Sequence, residues 1–168
     1  MKNRLFIVCP FSNLELFINK KYGNNAYFIS VPGAVVLFED LDYLIAIKRF
    51  LEENKIDSIY VVADVSCPFI NKITDRNNDL SNYWEYAIEE IYIENYLEHF
   101  ENLSIQEQKF KLAALNVNNL ANEIMESDIF KDLINTNKIH LRGLITSRIQ
   151  NHLEEINIHQ LDRNSFEF

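Results

Sequence analysis

The chain has 168 residues, 48% of them hydrophobic and 24% charged, with three glycines, three prolines and two cysteines. A domain of this length can bury a sizeable core, three glycines leave little for a Gly-rich phosphate loop, and two cysteines cannot build a disulfide scaffold. A formal net charge of −9 opposes nucleic-acid or anionic-membrane binding, both of which need a basic face.

The first run, Leu5-Phe6-Ile7-Val8-Cys9, is apolar on both faces and ends at Pro10. It predicts a buried strand rather than a signal-peptide core, because no small-x-small cleavage site follows. Leu14 to Lys21 predicts a short helix closed near Gly23, and Tyr27 to Val31 a second strand stopped by Pro32-Gly33. From Ala34 to Glu53, apolar residues at Leu37, Leu41, Leu44, Ile45, Ile47, Phe50 and Leu51 keep helical spacing. Ser58 to Ala63 is a third strand, ending at Asp64. Strand, helix, strand, helix, strand predicts a parallel α/β sheet with crossover connections.

Past Cys67 the pattern changes. Asp75 to Asn82 reads as a polar loop, and Ser81 to Phe100 as an aromatic, acidic helix carrying Trp84, Ile88, Ile91, Tyr92 and Tyr96. Ser104 with Glu107 has capping-box spacing and opens a helix over Ile105 to Met125. Ser127 caps a further short helix to about Ile134, and Lys138 to Thr146 is the fourth strand candidate. The fold expected is α/β, with a four-stranded, mainly parallel sheet in order 2-1-3-4 flanked by helices. It is read as one domain over residues 1–168, with a core over about 4–146 and a polar tail over 147–168. Nothing apolar is long enough to span a membrane. The expected setting is cytoplasmic, with both cysteines reduced or metal-bound.

Chemistry concentrates at two strand ends. Cys9 closes the first strand and Cys67 lies just past the third. In parallel α/β sheets, ligands gather outside the carboxyl ends of strands, so neighbouring first and third strands would bring Cys9, Asp64 and Cys67 together. Taken singly, each thiol reads as a small buried hydrophobe, and Asp64 as a strand-end carboxylate that caps a loop or accepts backbone hydrogen bonds. His99, His140, His152 and His159 show no metal-binding spacing, and no serine sits in a G-x-S-x-G elbow. From Asn77 to Gln108 there is no Lys or Arg, so the Trp84 to Phe100 segment is either a solvated acidic face or a partner surface.

The order of these pieces resembles the β-class carbonic anhydrases. That family carries Cys-x-Asp-x-Arg after its first strand and His-x-x-Cys after its third, and holds zinc on the two Cys and the His. Here the first motif aligns with Cys9-Pro10-Phe11-Ser12-Asn13 and the second with Asp64-Val65-Ser66-Cys67. Asn25 to Gly33 resembles the family's second strand and its Arg-Asn-Ala-Gly turn, and Leu37 to Glu53 the helix before the metal strand. Asn116-Val117 and Ile134 to Gly143 resemble the closing helix-helix-strand segment. The departures are specific. Asp64 stands for the ligand His, Phe11 and Asn13 for the Asp/Arg pair, Ala63 and Pro68 for flanking glycines, and Val31-Pro32 for Arg-Asn.

The resemblance thus implies a cleft lined by Cys9, Phe11, Asn13, Gly33, Asp64 and Cys67, and a homodimer. Zinc, if bound, sits on Cys9, Asp64 and Cys67. A carboxylate in place of imidazole makes that site one charge more negative, which weakens the acidity of a bound water, the wrong direction for making hydroxide at neutral pH. The expectation is therefore a carbonic-anhydrase-like protein without carbon dioxide hydration, more metal-free than zinc-bound, whose cleft takes a small anionic or neutral ligand or a partner protein. The alternatives are a zinc enzyme of altered chemistry on a Cys-Asp-Cys site, and an interaction module using the acidic aromatic helix.

Overall fold

The computed structural model describes residues 2–76, 79–136, 138–156 and 158. Its strands are β1 (Asn3–Val8), β2 (Ala26–Ser30), β3 (Ile56–Asp64), β4 (His140–Ser147) and β5 (His152–Ile156). Its helices are α1 (Glu15–Tyr22), α2 (Leu41–Glu53), α3 (Pro68–Thr74), α4 (Tyr83–Glu94), α5 (Ile105–Glu126) and α6 (Lys131–Asn135). One sheet runs in the order β2-β1-β3-β4-β5. The first four strands are parallel, and β5 is antiparallel to β4.

The four parallel strands stand in the predicted order, and the sheet has a fifth. β5 falls where the sequence read only a polar tail, because its His152-Leu153-Glu154-Glu155-Ile156 is an edge strand with little to bury. It is seated over Gly143: a Cβ there would meet Ile156 Cγ1 at 2.5 Å and Val117 Cγ1 at 2.8 Å. His159 and the residues after it lie outside the described residues.

The sheet buries both faces, which is why its central strands read as unbroken apolar runs. Leu5 and Ile7 of β1 and Ile59, Val61 and Ala63 of β3 face the larger layer, built with α2, α3, α4 and α5. Phe6, Val8, Tyr60 and Val62 face the smaller layer with Leu14 and Ile18 of the α1 segment. There the Phe6 and Tyr60 rings stack at 4.7 Å between centroids, with Tyr22 5.1 Å from Phe6.

Three helix boundaries differ from the sequence reading; the short helix expected directly after Ser127 starts at Lys131, preceded by a turn. The second helix was expected from Ala34 but starts at Leu41, where the Asp40 carboxylate accepts the Tyr43 N–H at 3.0 Å. Residues 35–40 run outside any helix, and Val36 is buried in the main core. The aromatic helix expected through Phe100 ends at Glu94, and Tyr96–Phe100 continues as a separate π-helical turn. α5 begins as read, with Ser104 and Glu107 forming a reciprocal capping box. It then buries Leu112, Ala113, Val117, Leu120 and Ala121 against the sheet.

Candidate functional site

β1 and β3 are neighbours, so their carboxyl ends lie side by side. Cys9 leaves β1 and caps a 3-10 turn over Pro10–Ser12, while Cys67 caps α3. Both thiols are free and buried. Each thiol sets the titration of the other. This contact, with the backbone N–H groups of Phe11 and Gly33, holds Cys9 down at about 6 against the opposing effect of burial. The same contact, burial and the charge on Cys9 push the Cys67 thiol up.

Gly33 organises the neighbouring wall. Its N–H donates to Cys9 Sγ at 3.3 Å, and its carbonyl accepts Asn116 Nδ2 at 2.9 Å. It sits at φ +63°, and a Cβ would meet Ile88 Cδ1 at 2.8 Å. Conformation and space therefore both favour glycine here. Ser12 is also buried, and its Oγ has no hydrogen-bond partner among the described residues.

Asp64 lies 3% exposed at the end of β3. Its Oδ1 accepts the Ser66 N–H at 2.8 Å, and its Oδ2 accepts Thr146 Oγ1 at 2.7 Å and the Arg148 N–H at 3.1 Å. The Ser66 bond, with the Cys67 N–H on the Asp64 carbonyl at 2.9 Å, folds Asp64-Val65-Ser66-Cys67 into a tight turn. The carboxylate is thus committed to the turn and to the start of the β4–β5 connection. Phe11 projects outward, 58% exposed, with its ring 5.7 Å from that of Phe69. Asn13 is exposed and takes a left-handed conformation at φ 50° after the 3-10 turn.

The structure therefore brings Cys9, Cys67 and Gly33 together and turns Asp64, Phe11 and Asn13 to other tasks. Zinc, which the sequence resemblance implies on Cys9, Asp64 and Cys67, does not fit this arrangement. Both carboxylate oxygens already accept hydrogen bonds, and Cys9 Sγ accepts the Gly33 N–H. Among the described residues, no three His, Cys, Asp or Glu side chains converge as a metal would require. Sequence reasoning gave no role to Ser12, Thr146 or Arg148. Thr146 and Arg148 are 82 and 84 residues from Asp64, beyond any local spacing rule. Asn116 left a signal, a carboxamide at a core position of α5 between Leu115 and Val117.

No family description matches this sequence, and no curated protein matches it. Solved structures do. A β-carbonic anhydrase of Aspergillus fumigatus superposes with a TM-score of 0.78 at 16% identity, over 94% of this chain and 76% of that one. One from Sordaria macrospora, described as tetrameric, gives 0.78 at 14% identity over 93% and 81% of the two chains. The Coccomyxa β-carbonic anhydrase, solved in complex with acetazolamide, gives 0.75 at 17% identity over 92% and 72%. At such identities the likeness is one of fold.

Proposed function

We propose that this protein uses the β-carbonic anhydrase fold without hydrating carbon dioxide, and that it works by binding through the cleft around Cys9, Gly33 and Cys67. The observation that carries this reading is the commitment of both Asp64 oxygens to Ser66, Thr146 and Arg148. Hydration in this fold needs an activated water at the carboxyl ends of β1 and β3. Water activation at neutral pH is supplied by a zinc site that lowers the water pKa to about 7. Here the position that would supply the imidazole carries a carboxylate already satisfied by the chain itself. The positions that would supply an orienting Asp/Arg pair carry Phe11, turned outward, and Asn13. Two buried free cysteines suit a reducing, cytoplasmic setting.

The test is elemental analysis and stopped-flow carbon dioxide hydration on the same preparation. The expected result is far less than one zinc per chain and a rate equal to buffer. Stoichiometric zinc lost on Cys67→Ala, with hydration above buffer, would overturn the reading.

A second reading concerns assembly. Tyr83, Tyr86 and Ile93 of α4 and Leu97 of the following turn are exposed large hydrophobics. Their clustering on one acidic segment supports self-association, as a dimer, through this helix. Light scattering of wild type against Ile93→Glu/Leu97→Glu separates dimer from monomer, and a monomeric wild type rejects it.

A further inference from the structure

The chain's two cysteines are both free and buried. They belong to one core cluster, at the adjoining ends of β1 and β3, and each acts on the other, which puts the two sulfurs within reach of one another. Their surroundings differ. Cys9 Sγ accepts the Gly33 N–H at 3.3 Å, a bond that favours the thiolate. The nearby Asp64 carboxylate is spent on Ser66, Thr146 and Arg148, so it makes no claim on either sulfur.

A second observation marks the same spot. Ser12 is 5% exposed, and its Oγ makes no hydrogen bond among the described residues. Its N–H donates to the Cys9 carbonyl at 3.1 Å, which folds the Pro10–Ser12 turn back on Cys9. Its hydroxyl acts on both thiols, favouring the thiolate at each. A buried hydroxyl left open beside two sulfurs fits a small ligand that carries an oxygen acceptor. The cover over Cys9 is thin, a single turn flanked by the exposed Phe11 and Asn13. Inert buried cysteines sit in apolar surroundings. Cys9 instead has an N–H donor, a hydroxyl and a second thiol for neighbours.

We infer that Cys9 and Cys67 form a two-electron dithiol site that reduces a small hydroperoxide. The Cys9 thiolate attacks the terminal peroxide oxygen and the O–O bond breaks, leaving Cys9 as a sulfenic acid. The departing oxygen takes a proton from solvent and leaves as water or an alcohol, with the Ser12 hydroxyl donating a hydrogen bond to it. The Cys67 sulfur then attacks Cys9 Sγ. Its thiol proton goes to the departing hydroxide, and a Cys9–Cys67 disulfide and a water form. The dithiol has given up two electrons and the hydroperoxide has taken them. An external dithiol resets the pair by exchange. This activity deepens the binding proposed for the cleft and rests on the reading that the cleft holds no zinc, since thiolates held by a metal are not free to attack.

The test adds hydrogen peroxide, one equivalent per chain, to the reduced full-length protein, with thiols counted after denaturation and zinc measured on the same sample. Both thiols should disappear together, leaving an unlinked chain two hydrogens lighter. Cys67→Ser should stop at a Cys9 sulfenic acid that dimedone traps, and Cys9→Ser should keep its remaining thiol. Ser12→Ala should slow the loss about tenfold, the rate value of one hydrogen bond to a charged group. Cumene hydroperoxide, too bulky for a covered sulfur, should react more slowly than hydrogen peroxide. Circular dichroism verifies that each variant is folded. The inference is overturned if both thiols of the zinc-free protein survive, if the two cysteine variants oxidise at equal rates, or if the disulfide joins two chains. Surviving thiols in a zinc-loaded protein would overturn the zinc-free reading as well, so the zinc content tells the two failures apart.

Discussion

Replacing Asp64 by alanine takes the acceptor away from three donors at once: Ser66 N, Thr146 Oγ1 and Arg148 N. Thr146 is fully buried and would keep only a 3.5 Å contact with the Ala63 carbonyl. A buried donor stripped of its partner costs about 1–3 kcal/mol. The two backbone N–H groups are only partly buried and regain some of theirs from water. The sum expected for Asp64→Ala is about 3–4 kcal/mol, out of a stability of about 5–15 kcal/mol for a domain of this kind. Asp64→Asn keeps one carbonyl oxygen but turns an NH2 toward a donor, so about 1–2 kcal/mol is expected. Urea unfolding followed by far-ultraviolet circular dichroism reads both, with an unchanged denaturant slope as the check that only stability moved. Wild type should unfold at the same urea concentration with and without a chelator, since a metal held only by the native state would add to its stability. The reasoning fails if Asp64→Ala lies within about 1 kcal/mol of wild type, a cost typical of an average substitution. It also fails if a chelator destabilises wild type but not Asp64→Asn.

Ser104→Ala breaks the capping box of α5 and should cost about 1 kcal/mol in the same assay. Gly143→Ala drives a methyl into Ile156 and Val117; it should cost about 1–3 kcal/mol and speed amide exchange in β5 above all other strands. Cys9 is held near 6 in the folded chain against 9.0 unfolded, so its stabilising contribution is complete above pH 9.0 and is lost as pH falls through about 6. Cys67, raised in the folded chain, has the opposite effect above pH 9.0. Stability should therefore climb between pH 6 and 9 on Cys9's account, and Cys9→Ser should flatten that climb relative to wild type.

The parallel strands were legible because burial on both faces leaves an unbroken apolar run, as in β1 and β3. Their order was legible because crossover topology and the family resemblance agreed. β5 was not, since an edge strand carrying His152, Glu154 and Glu155 has no apolar signature. The start of α2 was misread because Val35, Val36 and Leu37 are as apolar as the helix they precede. Only Val36 of the three is fully buried, from a segment outside any helix, and the Asp40 cap was the start signal to weigh instead. At the site, the meeting of Cys9 and Cys67 followed from strand adjacency. The fate of Asp64 did not, because its partners Thr146 and Arg148 arrive from a distant part of the chain.

The span of these tertiary bonds also has a kinetic side. Asp64 reaches Thr146 across 82 residues and Asn116 reaches Gly33 across 83. The first loop cannot shut until β3 and β4 lie side by side, the second until α5 has packed beside the turn after β2, and contacts of such long range tend to form late in folding. Interactions absent from the transition state slow the escape from the native basin and leave the route into it unchanged. Asp64 and Asn116 therefore act as brakes on unfolding: substitutions at either position should shorten the native lifetime and leave the refolding rate close to that of wild type.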